Sequence, residues 1–149
     1  MSISSRTAVA VHALTLLTQR GQDQLLTSAE IADSLNCNAA GVRRLLSQLR
    51  NAGLVEATEG SGGGWRLTRP ARKITLYDAY AAVEDGPLIA GHTRVPSEAC
   101  VVGRNIITVL NTEFTEAERS LQRRLQGTSI ATIHDRIIQA ERESAAAQH

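Results

Sequence analysis

Arg43, Arg44 and Ser47 lie close together in a stretch of helical period. Two guanidinium forks and a hydroxyl on one helix face suit phosphate oxygens or the O6 and N7 edge of guanine. Gln48 stands on the flank of the same turn. Just upstream, Asn38 is a helix-capping type, and Ala39 and Ala40 are small enough to let a helix end enter a groove. Downstream comes Gly60-Ser61-Gly62-Gly63-Gly64, then Trp65 and Arg66. Ser61, Gly62, Gly63 and Gly64 can bring bare backbone to a phosphate or a minor groove, and Arg66 adds charge there. Arg6 is a further cation suited to phosphate. Taken singly, each piece also fits a solvated helix face or a flexible loop.

Other chemistries lack their residue sets. No Lys-Ser/Thr follows the glycine run, so it is not a nucleotide phosphate loop. No Ser/His/Asp or paired-carboxylate arrangement can be argued, so no catalytic residue and no enzyme activity is expected. His92 and His134 have no partner at metal-ligand spacing apart from the remote pair of His92 with Cys100. His12 and His149 are assigned no role. Neither a metal nor a cofactor is expected. Cys37 precedes the cap of the basic helix, as a turn residue or as the site of an intermolecular disulfide. Cys100 opens a long helix, whose positive end favours a thiolate. It is a redox sensor, a buried small hydrophobe or the remnant of an ancestral ligand.

Composition narrows the partners. The chain has 149 residues, 42% hydrophobic and 21% charged, which suits one small domain plus an oligomerisation element. Aromatics are scarce: Trp65, Tyr77, Tyr80 and Phe114. That argues against a stacking groove for single-stranded nucleic acid. The net charge of +1 hides an asymmetry. Residues 1–75 hold nine basic groups against five acidic ones, and residues 76–149 seven against ten. All the cations but Lys73 are arginines. The start lacks the charged-then-apolar order of a signal peptide, and no run approaches the roughly 18 apolar residues of a membrane span. A cytoplasmic protein with reduced thiols is expected.

The elements that position these residues follow from periodicity. Residues 5–20 form an apolar-faced helix stopped by Gly21. Thr27 and Glu30 make a capping-box pattern before a short helix with Ile31 and Leu35 inward. A helix over 39–52 follows, capped by Asn38 and closed by Gly53. Its apolar positions Val42, Leu45, Leu46 and Leu49 leave Ala40, Arg43, Arg44, Ser47 and Asn51 on the other face. Residues 54–58 and 65–68 make a β-hairpin around the glycine run. Thr75 and Asp78 open a helix to about Val83. A loop follows, then a helix over 101–126. In it Ile107, Leu110, Phe114, Ala117 and Leu121 are spaced 3, 4, 3, 4, the seam of a coiled coil. A last helix spans 129–146, with Ile130, Ile133 and Ile137 inward.

Three helices, a basic third one, then a hairpin: this order is a winged helix-turn-helix. The expected fold class is mostly α with one small β-hairpin and a long dimerisation helix. The expected division is a DNA-binding domain over 1–83, a loop over 84–100 and dimerisation helices over 101–149. A homodimer on palindromic double-stranded DNA explains both the seam and the reader. A winged helix used for protein–protein contact is the alternative.

The sequence resembles the Rrf2 (BadM-type) family of bacterial transcription regulators over roughly residues 3–138. The carriers are Ser5-Arg6-Thr7-Ala8-Val9, residues 38–44 with Val42-Arg43-Arg44, and Ala52-Gly53-Leu54-Val55. They continue with Gly60-Ser61-Gly62-Gly63-Gly64-Trp65-Arg66-Leu67, Ile74-Thr75-Leu76-Tyr77-Asp78-Ala79-Tyr80 and Cys100-Val101-Val102-Gly103. The resemblance implies a homodimeric winged-helix regulator, usually a repressor. It implies a recognition helix at 38–52, a wing at 60–66 and dimerisation through the helix after Cys100. Cluster-bearing members have three cysteines before that helix; here only Cys100 matches, and Gly103 stands where some members have a ligating His. One thiolate cannot supply the usual cysteine set, so the chain is similar to the cluster-free branch. If Cys100 senses redox state, oxidant weakens DNA binding in a gel-shift assay and Cys100→Ser abolishes the response; oxidised wild type that binds unchanged excludes the role.

Overall fold

A computed structural model describes residues 4–21 and 23–148. His149 lies outside them. The helices are α1 (Arg6–Arg20), α2 (Ser28–Leu35), α3 (Ala39–Asn51), α4 (Leu76–Val83), α5 (Val101–Gln126) and α6 (Ile130–Ala147). The strands β1 (Val55–Thr58) and β2 (Gly64–Leu67) form one antiparallel hairpin between α3 and α4. A 3-10 turn at Ala71–Lys73, which periodicity does not signal, leads into α4. Among the described residues no helix is long and apolar enough to cross a membrane.

The caps follow the side chains that sequence marks. Asn38 Oδ1 accepts from the Gly41 N–H at 2.7 Å, starting α3. At α4 the full capping box forms: the Asp78 N–H donates to Thr75 Oγ1 and the Thr75 N–H to Asp78 Oδ2. At α2 only half of it forms. The Glu30 N–H donates to Thr27 Oγ1. The Glu30 carboxylate, however, accepts from the Thr27 hydroxyl and pairs with Arg20 at 3.5 Å instead of reaching back to the Thr27 backbone.

The described residues divide into two compact units. One holds the chain up to Glu84 together with the chain from Gln126 onward; the other holds Asp85–Leu125. The first unit carries a single apolar core. Leu14 and Leu17 of α1, Ile31 of α2, and Val42, Leu45, Leu46 and Leu49 of α3 meet Leu54, Val55 and Leu67 of the hairpin and Val83 of α4. Burial of this set drives folding of the unit.

That unit also owns α6, which sequence groups with the long helix. Ile130 is fully buried in the core. Its N–H donates to the Ile74 carbonyl at 2.8 Å, and the Leu76 N–H donates to the Thr128 carbonyl at 2.9 Å. The apolar row of α6 is therefore seated only at its start: Ile133 is half-buried and Ile137 is 51% exposed. The expected grouping of all residues 101–149 missed these contacts because periodicity shows that a face is apolar, not which surface covers it.

In the second unit, the segment after Glu84 returns along α5. The Leu88 N–H donates to Glu118 Oε1 at 2.8 Å, and Arg104 donates to the Glu98 carbonyl at 3.2 Å. A Cβ at Gly103 would collide with the Ser97 carbonyl, so this close approach requires glycine. No residue of α5 is buried. Leu110, Phe114 and Leu121 are half-buried, while Ile107 and Ala117 are exposed. Ile130→Ala should cost roughly 2–5 kcal/mol, the range for a buried aliphatic truncation, and lower the melting temperature of the whole first unit in a thermal scan.

Candidate nucleic-acid interface

The register of α3 decides what it displays. Val42, Leu45, Leu46 and Leu49 are all buried, which turns Arg43 and Arg44 to solvent. Neither makes a hydrogen bond or ion pair among the described residues. Ala39 and Ala40 are exposed at the helix start, and Ser47 and Gln48 are half-buried on its flank. The Asn38 side-chain oxygen is committed to its cap, and the residue is exposed.

The other two predicted cations are placed differently. Arg66 pairs with Glu56 at 2.6 Å directly across the hairpin. Arg6 lies 3.7 Å from Glu84 and also donates to Ser4 Oγ. Both remain about half exposed, but each already has an anionic partner. The Glu56–Arg66 pair has a sequence signal: the two residues are cross-strand partners in the hairpin register.

The wing glycines divide by cause. A Cβ at Gly63 would strike the Thr58 carbonyl, and one at Gly64 would strike the Leu26 carbonyl. Hence these two are required by the packing of the hairpin itself. Gly64 admits the backbone pair between Leu26 and Trp65, with N–H to O distances of 2.8 and 3.1 Å. Ser61 and Gly62 are at the exposed tip.

Trp65 anchors the wing. Its Nε1–H donates to Ser28 Oγ at 3.1 Å, and the Arg50 guanidinium lies 5.7 Å from the ring centroid. One indole therefore links the hairpin to the start of α2 and the end of α3. Two histidines tie helices together as well. His12 shares a hydrogen bond with Ser34, joining α1 to α2. His134 is hydrogen-bonded to Gln19, joining α6 to α1.

Comparison with known proteins identifies the family of this arrangement. The Rrf2 family model, described as an iron-dependent transcriptional regulator, matches residues 3–136. The chain belongs to the Rrf2 family. YwnA of Bacillus subtilis, named as an HTH-type transcriptional regulator, is 34% identical over 132 residues, covering 88% of this chain and 96% of YwnA. The HTH-type transcriptional regulator IscR of Cereibacter sphaeroides is 33% identical over 113 residues, covering 74% of this chain and 72% of IscR. The solved structure of T. potens IscR superposes with a TM-score of 0.70 at 20% identity, covering 94% of this chain and 90% of that one. It shares the fold. This Rrf2 chain is thus a DNA-binding transcriptional regulator with a winged helix, and not an enzyme.

The family description names iron, and the donor set in this chain does not fit an iron–sulfur cluster. Such clusters take several thiolates. Cys100 and Cys37 are both free and exposed, and they belong to different units. Exposure removes the expectation that Cys100 is a buried hydrophobe. Gly103, at the position of a ligating His in some members, is needed bare by the Ser97 carbonyl. Among the described residues no three His, Cys, Asp or Glu groups gather to hold a metal.

Glu84 is the anion that holds Arg6. Burial opposes its ionisation, but hydrogen bonds from Ser4 and Thr7 and the charge of Arg6 outweigh that and hold its carboxyl below the ordinary value. A depressed native value stabilises the fold above the unfolded pKa of about 4.3 and loses that stabilisation as pH falls through the native value. Glu84→Gln should therefore lower the melting temperature at pH 7, and the gap to wild type should close as the pH drops below about 4.

Proposed function

We propose that this Rrf2 regulator acts as a homodimer on a palindromic operator and represses transcription in the cytoplasm. Arg43, Arg44 and Ser47 read the major groove, with Gln48 at the flank and the start of α3, Asn38 to Ala40, closest to the groove edge. Ser61 and Gly62 at the wing tip meet the phosphate backbone. Arg6 and Arg66 contribute charge to phosphate register while held by Glu84 and Glu56. Pairing along α5 through Ile107, Leu110, Phe114, Ala117 and Leu121 presents two readers to two half-sites.

One observation carries the reading: Arg43 and Arg44 of α3 are exposed and make no hydrogen bond or ion pair among the described residues, whereas Arg6 and Arg66 are ion-paired. An unpaired guanidinium enters a bidentate contact without first giving up another. The acidic half of the sequence keeps the electrostatic attraction for DNA on the reader.

Genomic fragments selected by the purified protein, footprinted and then used in quantitative gel shifts, test this. Arg43→Ala and Arg44→Ala should each cost about 1–3 kcal/mol, by an amount that changes with the base sequence. Arg6→Ala and Arg66→Ala should weaken binding less and evenly across sequences, and lower the salt dependence by about one ion each. An even loss at Arg43 and Arg44 would make them phosphate contacts and leave base reading to other residues. A reporter driven by the selected promoter should rise when the gene for this chain is deleted.

A further inference from the structure

The hairpin is poorly equipped to hold DNA by charge. From Leu54 to Thr68 it carries Glu56 and Glu59 against Arg66 as its one cation, a balance of −1. Arg66 is moreover engaged: its Nε donates to Glu56 Oε1 at 2.6 Å. The two residues are cross-strand partners, with side chains 46% and 48% exposed. Successive strand residues point to opposite faces. Trp65 packs on Ser28 and Arg50, so Arg66 and Glu56 share the outer face of the wing.

Glu56 differs from the carboxylate that holds Arg6. Glu84 also accepts from Ser4 and Thr7, which ties the start of α1 to the end of α4. Among the described residues Glu56 has no hydrogen bond or ion pair except with Arg66. Neither its exposure nor its contacts give it a part in the core. We propose that Glu56 is a specificity-determining residue: it cancels the charge of Arg66 toward DNA at large while fixing the guanidinium for the operator. The inference rests on the reading of α3 and the wing given above.

The two kinds of DNA complex weigh charge differently. Affinity for any duplex comes from neutralising phosphates and releasing their counterions, so it follows net charge. A guanidinium with a carboxylate 2.6 Å away brings no net charge to the backbone. The operator complex adds contacts of fixed geometry, because the bases read by α3 set where the wing lies. There a charged donor already held in one orientation meets a phosphate at a smaller conformational cost. The contact to Glu56 engages Nε, and the described hydrogen bonds include none from either Nη group of Arg66. Donors therefore remain for a phosphate oxygen. Glu56 subtracts affinity where geometry is loose and keeps it where geometry is set. Discrimination rises because the wrong complex is weakened more than the right one.

The experiment uses the full chain. Fluorescence anisotropy follows its binding to the selected operator and to a random-sequence duplex, each over a range of salt. Glu56→Gln should strengthen binding to the random duplex roughly threefold near ~0.1 M salt and steepen its salt dependence by about 0.9, the value for one phosphate. The ratio of operator affinity to random-duplex affinity should fall by about the same factor. Adding Arg66→Gln to Glu56→Gln should return the random-duplex affinity and its salt dependence to those of wild type. The melting temperature of Glu56→Gln should match wild type, since an exposed pair adds little to stability. Random-duplex binding unmoved by Glu56→Gln, or operator and random-duplex affinities that rise in step, overturns the role of Glu56 and leaves the reading of α3 standing. A wild type that binds operator and random duplex equally overturns the reading of α3, and the role of Glu56 with it.

Discussion

Four leucine and valine side chains on α3 hold the rest of the molecule to its task. Val42, Leu45, Leu46 and Leu49 are buried among α1, α2 and the hairpin. A helix has no freedom to turn once such a row is seated, because each residue is about 100° from the next. Arg43 and Arg44 are therefore directed to solvent by their neighbours' burial and not by any contact of their own. A rotation of even one residue would bury a guanidinium, at a cost far above that of any local gain.

The braces around α3 serve the same end. Trp65 joins the hairpin to Ser28 and Arg50, Gly64 lets β2 bridge Leu26, and His12 fastens α1 to α2. A reader of DNA must hold its donors in a fixed frame before it meets the bases, since ordering them on binding would consume binding energy. Ion pairing sorts the arginines in the same spirit. Arg6, Arg20 and Arg66 are held by Glu84, Glu30 and Glu56, whereas Arg43 and Arg44 have no such partner among the described residues.

Much of this is legible in the chain itself, for local reasons. Asn38, Thr75 and Asp78 mark helix starts because their side chains satisfy backbone N–H groups within three residues. The periodicity of 101–126 marks α5 along its whole length. The failures lie in contacts that periodicity does not encode. Glu30 turns from its box to Arg20, ten residues away in sequence. Ile130 crosses to the core of the first unit through Ile74. Gly63, Gly64 and Gly103 are glycines for the sake of carbonyls at Thr58, Leu26 and Ser97, which no reading of a flexible loop would select.

What the sequence by itself determined is the helical periods, the caps, the hairpin and which face of α3 is turned to solvent, because each of these is decided by residues a few positions apart. The tertiary structure alone decided which arginines are free, which glycines are steric necessities and where α6 belongs. It also decided that Ile107 and Val109 of α5 are left uncovered by their own chain. Those outcomes turn on which atoms meet after the chain has closed on itself, and burial, ion pairing and close approach have no local pattern to announce them.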